Sequence, residues 1–139
     1  MKTEIKVHSF THNELVDLLS TALYGSSWFD ADYDRTIYNK LEKTNGDCYE
    51  DKLADMLLAG CKITIIDMEA EGEKYSDKCV RIDEDDESAV YEVRLEDFLQ
   101  TASTKEGYQL VMDVLSGEGD LYTADAFLQR VVFGEVIYG

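Results

Sequence analysis

Between residues 62 and 95 the chain alternates apolar and polar positions in three short runs, 62–68, 78–83 and 89–95. The connections between them are too short for a crossover helix, so neighbouring runs are expected to pair antiparallel as a meander. In the first run Ile63 and Ile65 share one face while Thr64, Ile66 and Met68 share the other, a pattern that suits a central strand. Residues 3–10, with Ile5 and Val7 in alternation, predict a further strand at the amino-terminal side. The loops of the meander are 69–73, Glu-Ala-Glu-Gly-Glu, and the wholly acidic 83–87.

Outside this region the apolar spacing changes to that of helices. Thr11 and Glu14 have the spacing of a capping box, and Leu15, Leu18, Leu19, Ala22 and Leu23 follow on one helical face up to Gly25. Asp34 is placed to cap a short helix through Ile37, Tyr38 and Leu41. After the Asn45-Gly46 turn, Asp47-x-x-Glu50 opens a helix carrying Leu53, Met56, Leu57 and Leu58, which Gly60 closes. A short helix is expected over 96–101, and Ser103-x-x-Glu106 opens a longer one with Leu110, Val111, Val114 and Leu115 inward. Gly117 and Gly119 break it. The last helix, 123–133, buries Ala124, Phe127, Leu128 and Val131 and stops at Gly134. Val136, Ile137 and Tyr138 beyond it are costly to expose and should be docked.

These elements predict one α+β domain over 1–139: an antiparallel sheet of about four strands with helices packed mainly on one face. The length suits a single core, and an apolar content of 45% supplies enough surface to fill it. No run approaches the ~20 apolar residues of a membrane span, and the first residues lack the apolar region of a signal peptide, so a cytoplasmic location is expected. Cys48, Cys61 and Cys79 form no Cys-x-x-Cys pair and are expected to be reduced and buried; with His8 and His12 they complete no zinc site.

Charge changes the picture more than any motif. Thirteen Lys and Arg against thirty Asp and Glu give a formal net charge of −17. Direct binding to nucleic acid or to an anionic membrane, both of which need a basic surface, is disfavoured. The densest run is Asp83, Glu84, Asp85, Asp86 and Glu87, and between Arg81 and Arg94 no cation interrupts it. One reading is a solvated loop that keeps a sheet edge from pairing with others. The other is a surface that binds a basic protein in place of nucleic-acid phosphate. Trp28, the only tryptophan, lies in the irregular stretch 25–34 and is either folded against the core or an exposed anchor for a partner.

Candidate chemistry is sparse. Asp30, Asp32 and Asp34 mimic the first ligands of a calcium loop, but Arg35 stands where that loop turns on Gly and Leu41 where it needs a bidentate Glu. There is no phosphate-binding glycine loop, and two histidines near the amino terminus define no nucleophile–base pair. His12 reads as a solvent-exposed residue of a helix's first turn. No cofactor is implied.

The stretch 120–139, Asp-Leu-Tyr-Thr-Ala-Asp-Ala-Phe-Leu-Gln-Arg-Val-Val-Phe-Gly-Glu-Val-Ile-Tyr-Gly, and Ala22-Leu-Tyr-Gly-Ser-Ser resemble small acidic proteins of phages and conjugative elements of gut bacteria. The resemblance covers about a third of the chain and implies neither an activity nor site residues. It implies an accessory protein that acts on host or rival machinery. The expectation is therefore a non-enzymatic acidic binding protein, a nucleic-acid mimic that inhibits a nuclease or defence effector through Asp83 to Glu87 and Trp28. Alternatives are a toxin-immunity inhibitor and a small carboxylate enzyme or metal-binding protein built on Asp30, Asp32 and Asp34.

Overall fold

A computed structural model of the chain describes residues 9–42, 47–117 and 119–139. In chain order these form α1 (His12–Gly25), β1 (Phe29–Asp32), α2 (Arg35–Tyr38), α3 (Tyr49–Leu58), β2 (Ile63–Asp67), β3 (Cys79–Asp83), β4 (Ser88–Val93), α4 (Leu95–Ala102), α5 (Lys105–Leu115) and α6 (Leu121–Phe133). The fold is α+β, with a four-stranded open antiparallel sheet. No helix among the described residues is long and apolar enough to cross a membrane.

The sheet order is β1-β2-β4-β3, which corrects the expected meander. β2 pairs with β4, and β3 is displaced to the edge. Composition explains the exchange. β4 reads Ser-Ala-Val-Tyr-Glu-Val and is buried at every position but Glu92, so it takes a centre where both edges are paired. β3 reads Cys-Val-Arg-Ile-Asp, leaves Val80 and Arg81 exposed, and shifts register between Cys79 and Arg81, all properties of an edge. The first strand of the sheet is β1, drawn from the stretch read as irregular. The strand expected at 3–10 lies outside the described residues except for Ser9 and Phe10, which are not in a strand. The Asn45-Gly46 turn also lies outside them.

Register places three ranks of side chains on the face that meets the helices. Phe29, Asp67, Ala89 and Ile82 form one rank, Ala31, Ile65, Tyr91 and Cys79 the next, and Ile63 and Val93 a third. Against them pack Leu15, Leu18 and Leu19 of α1, Leu53, Met56 and Leu57 of α3, Phe98 of α4 and Phe127, Val131 and Phe133 of α6, in one apolar cluster. The helix starts follow local chemistry. Thr11 Oγ1 accepts from Glu14 N while Glu14 Oε1 accepts from Thr11 N. Asp34 Oδ1 accepts from Thr36 N and Ile37 N to start α2, and Asp120 Oδ1 accepts from Thr123 N to start α6. At Gly25 the constraint is space: a Cβ there would sit 2.5 Å from Leu121 Cβ, so the end of α1 and the start of α6 touch only because residue 25 has no side chain.

Two sequence expectations about individual side chains are revised. Cys48 is exposed at the start of α3, while Cys61, between α3 and β2, and Cys79, at the start of the edge strand β3, are half-buried; all three are free thiols. His12 is not a solvated first-turn residue. Its Nε2 lies 2.9 Å from Asp51 Oδ1 and its Nδ1 3.3 Å from Asp55 Oδ1, so it bridges α1 to α3.

Candidate functional site

The acidic run forms the tight connection between β3 and β4. Asp83 faces Ser88 across the hairpin, and Asp86 Oδ1 accepts from both Ser88 N (3.1 Å) and Ser88 Oγ (2.7 Å). Those two bonds hold the Asp86 carboxyl below the usual carboxylate range. Asp83 is neutralised locally, because Arg81 Nε and a terminal guanidinium nitrogen donate to its two oxygens at 2.7 and 3.3 Å. Glu84, Asp85, Asp86 and Glu87 are exposed.

The loop that follows β2 comes to the same end of the sheet. Gly72 N donates to Glu87 O at 3.0 Å and ties the two loops together. Glu71 (φ 52°) and Glu87 (φ 57°) are the two non-glycine residues with left-handed backbone among those described, and both lie on this rim. Between the loops is a cleft of about 480 Å³ lined by Met68, Glu69, Glu71, Tyr75, Asp86, Glu87 and Tyr138. Four carboxylates from two separate acidic loops, Glu69, Glu71, Asp86 and Glu87, therefore share one cleft with no Lys, Arg or His in its lining. Glu84 and Asp85, at the tip of the turn, are not part of it.

Trp28 is folded against the core and is not an exposed anchor. It is 2% exposed, and its ring stacks at 4.7–5.6 Å from those of Phe29, Phe133 and Tyr138. Its indole N–H donates to Asp125 Oδ1 at 2.9 Å. An exposed anchor needs free area, so Trp28 supports the site from the core instead of meeting a partner. Asp125 also accepts from Ser26 Oγ at 2.8 Å and from Gln129 Nε2 at 2.7 Å.

Gln129, buried in the third turn of α6, is the fixed point of the segment 135–139. Its Oε1 accepts from Ile137 N and Tyr138 N, both at 2.8 Å, and its Nε2 donates to Tyr138 O at 3.0 Å. The segment is docked, as its apolar composition requires. Tyr138 then reaches the sheet, where its hydroxyl donates to Asp67 Oδ2 at 2.7 Å. Asp67 is fully buried in a helix-facing rank; burial pushes its carboxyl above the usual range, against the opposing pull of the bonds from Tyr138 and from Glu69 N. Burial, and after it the same contact, pushes the Tyr138 phenol upward, while burial raises the Tyr91 phenol to about 12.

The other aspartates are occupied by their own surroundings. Asp30 Oδ1 accepts from Ala31 N, Asp34 caps α2, and Asp32 Oδ1 accepts from Tyr33 N, Arg35 and the Tyr49 hydroxyl. Among the described residues no group of three His, Cys, Asp or Glu is arranged to hold a metal ion. The sequence indicated the turn 83–87 but not its companions Glu69, Glu71, Tyr75 and Tyr138. The acidity of 69–73 was the available signal; its meeting with 84–87 depends on β4 lying beside β2, which no local pattern encodes. No known protein family, curated protein or solved structure matches the chain.

Proposed function

We propose that the protein is a non-enzymatic acidic binding protein that covers a basic, nucleic-acid-binding surface of another protein, such as a nuclease or defence effector. One observation carries this reading: two acidic loops are tied together so that Glu69, Glu71, Asp86 and Glu87 face one cleft without a cation among them. Four carboxylates lining one cleft without a cation present a negative surface that a basic partner complements. The formal charge of −17 extends the attraction beyond the contact itself and speeds encounter. The resemblance to phage and conjugative-element proteins fits a partner in host or rival machinery.

The test is a partner captured from bacterial lysate and then measured with a variant. Replacing Asp85, Asp86 and Glu87 by Asn, Asn and Gln weakens that binding and flattens its dependence on salt, because attraction between exposed charges is screened over ~8–10 Å at ordinary ionic strength. Unchanged affinity and an unchanged salt slope, in a variant that melts like the parent, refute the reading for this surface.

A further inference from the structure

We infer that the cleft is half of a longer groove, and that the groove takes an extended lysine- or arginine-rich segment of a partner protein. This rests on the reading of the chain as an acidic binding protein, and it states which surface does the binding and what shape the partner presents. A second cleft, of about 180 Å³, opens between α1, α6 and segment 135–139, and both clefts include Glu69 and Tyr138 in their walls. The second adds Asp125 and Tyr122 and, like the first, contains no Lys, Arg or His. The clefts beside α4 are mixed in charge instead: Lys78 and Arg130 stand with Asp97 and Glu106 in one, and Lys62, Lys78 and Arg94 with Asp77, Glu92, Glu96 and Asp97 in the other.

Charge alone does not account for the composition of this groove. Its walls expose Met68 (50%), Tyr75 (38%), Tyr122 (63%) and Val136 (38%) among the carboxylates. A loop kept acidic for solubility needs no such surface. A lysine or arginine does, because its methylene stem packs on apolar area and its charged head seeks carboxylates or aromatic faces. Glu69 and Tyr138 line both clefts, so the Tyr138 ring is part of the wall of each. In an extended chain residues i and i+2 point the same way about 7 Å apart, so successive basic side chains can enter the clefts on either side of that ring. The ring is fixed in advance by Gln129 and Asp67, which lowers the ordering required on binding.

The probe is a fluorescein-labelled nonapeptide of alternating Lys and Ala, followed by anisotropy with the full chain and by the emission of Trp28, which lines the second cleft. Two double variants of equal net charge are compared: Glu69→Gln with Glu87→Gln inside the groove, and Glu84→Gln with Asp85→Asn at the tip of the turn. The groove variant is expected to lose affinity about tenfold or more and the tip variant less than about threefold, since contacting charges dominate over distant ones. If the groove variant does not fold, Glu71→Gln with Asp86→Asn makes the same comparison. Equal losses in the two doubles overturn the groove and leave general acidic attraction standing. Absence of peptide binding to the unmodified chain at low salt overturns both. Spermine binding at least as tightly as the peptide, with the same dependence on Glu69 and Glu87, overturns the peptide segment in favour of a small polycation.

Discussion

Replacing Gln129 by Leu tests whether the wall shared by the two clefts is fixed as described. The side chains are similar in volume, so the cavity contribution is small, and the change removes four hydrogen bonds: those to Asp125 and Tyr138 O and those from Ile137 N and Tyr138 N. At about 1 kcal/mol net for each, the loss is about 4 kcal/mol. The segment 135–139 has an alternative, which is to leave and hydrate its amides. The loss is then limited to the packing of Ile137 and Tyr138, about 2–3 kcal/mol for side chains already half-buried. The expected destabilisation is about 2–4 kcal/mol, or a fall in Tm of roughly 6–15 °C for a chain of this size. Urea unfolding followed at Trp28, whose ring lies 5.6 Å from that of Tyr138, measures it, and amide exchange at Ile137 and Tyr138 shows whether the segment has left. Gln129→Glu separates the two halves of the contact: it keeps the acceptors for both amides but sets a carboxylate against Asp125. A loss below about 0.5 kcal/mol with both amides still protected refutes the account of Gln129 as the fixed point.

Asp67→Asn keeps an acceptor for Glu69 N and leaves the Tyr138 hydroxyl a partner, while removing a buried charge. Because burial raises the Asp67 carboxyl in the folded state, the native chain holds that proton more tightly than the unfolded chain, so its cost to stability grows as pH rises through the folded value. The variant therefore melts higher than the parent at pH 7 and shows no gain near pH 3, in paired thermal scans. His12→Ala is expected to cost about 1 kcal/mol near neutral pH. The bond from His12 holds the Asp51 carboxyl low, so its contribution is present above about pH 4 and fades as pH falls through the lowered value; the acid limb of a stability–pH curve becomes shallower in the variant. Gly107→Ala reverses the usual benefit of alanine in a helix, since the new Cβ would lie 1.9 Å from Thr101 O. A loss of about 2 kcal/mol or more in urea titration is expected, and an unchanged midpoint refutes the contact.

The helices were legible because their signals are local. Thr11 with Glu14, Asp34, and Gly134 at φ 83° each satisfy or end a helix through neighbours within four residues. The opening of α5 was legible to within a residue: Thr104 caps it where Ser103 was expected. Strand positions 63–67, 79–83 and 88–93 were also readable, but their order was not. That order depends on β4 being more apolar than β3, a comparison between segments that alternation within either does not make. β1 was hidden because Phe29-Asp-Ala-Asp alternates correctly yet sits among residues typical of turns. At the candidate site, Asp83 to Glu87 were visible as a run, whereas the bond from Gly72 to Glu87 and the meeting of Glu69 with Tyr138 come from tertiary placement. Trp28 shows the same limit, since its partner Asp125 lies 97 residues away.

The exchanged strand order also bears on how the chain reaches its fold. β3 and β4 are joined directly and can pair as a hairpin on their own, whereas β2 must wait for β4 and can add only across the connection 68–78 and the whole of β3. The pairing with the shortest connection in the sheet closes on residues 84–87, which are four consecutive carboxylates. Salt that screens them should speed refolding while changing unfolding little, so the acidic turn also sets the pace at which the sheet begins.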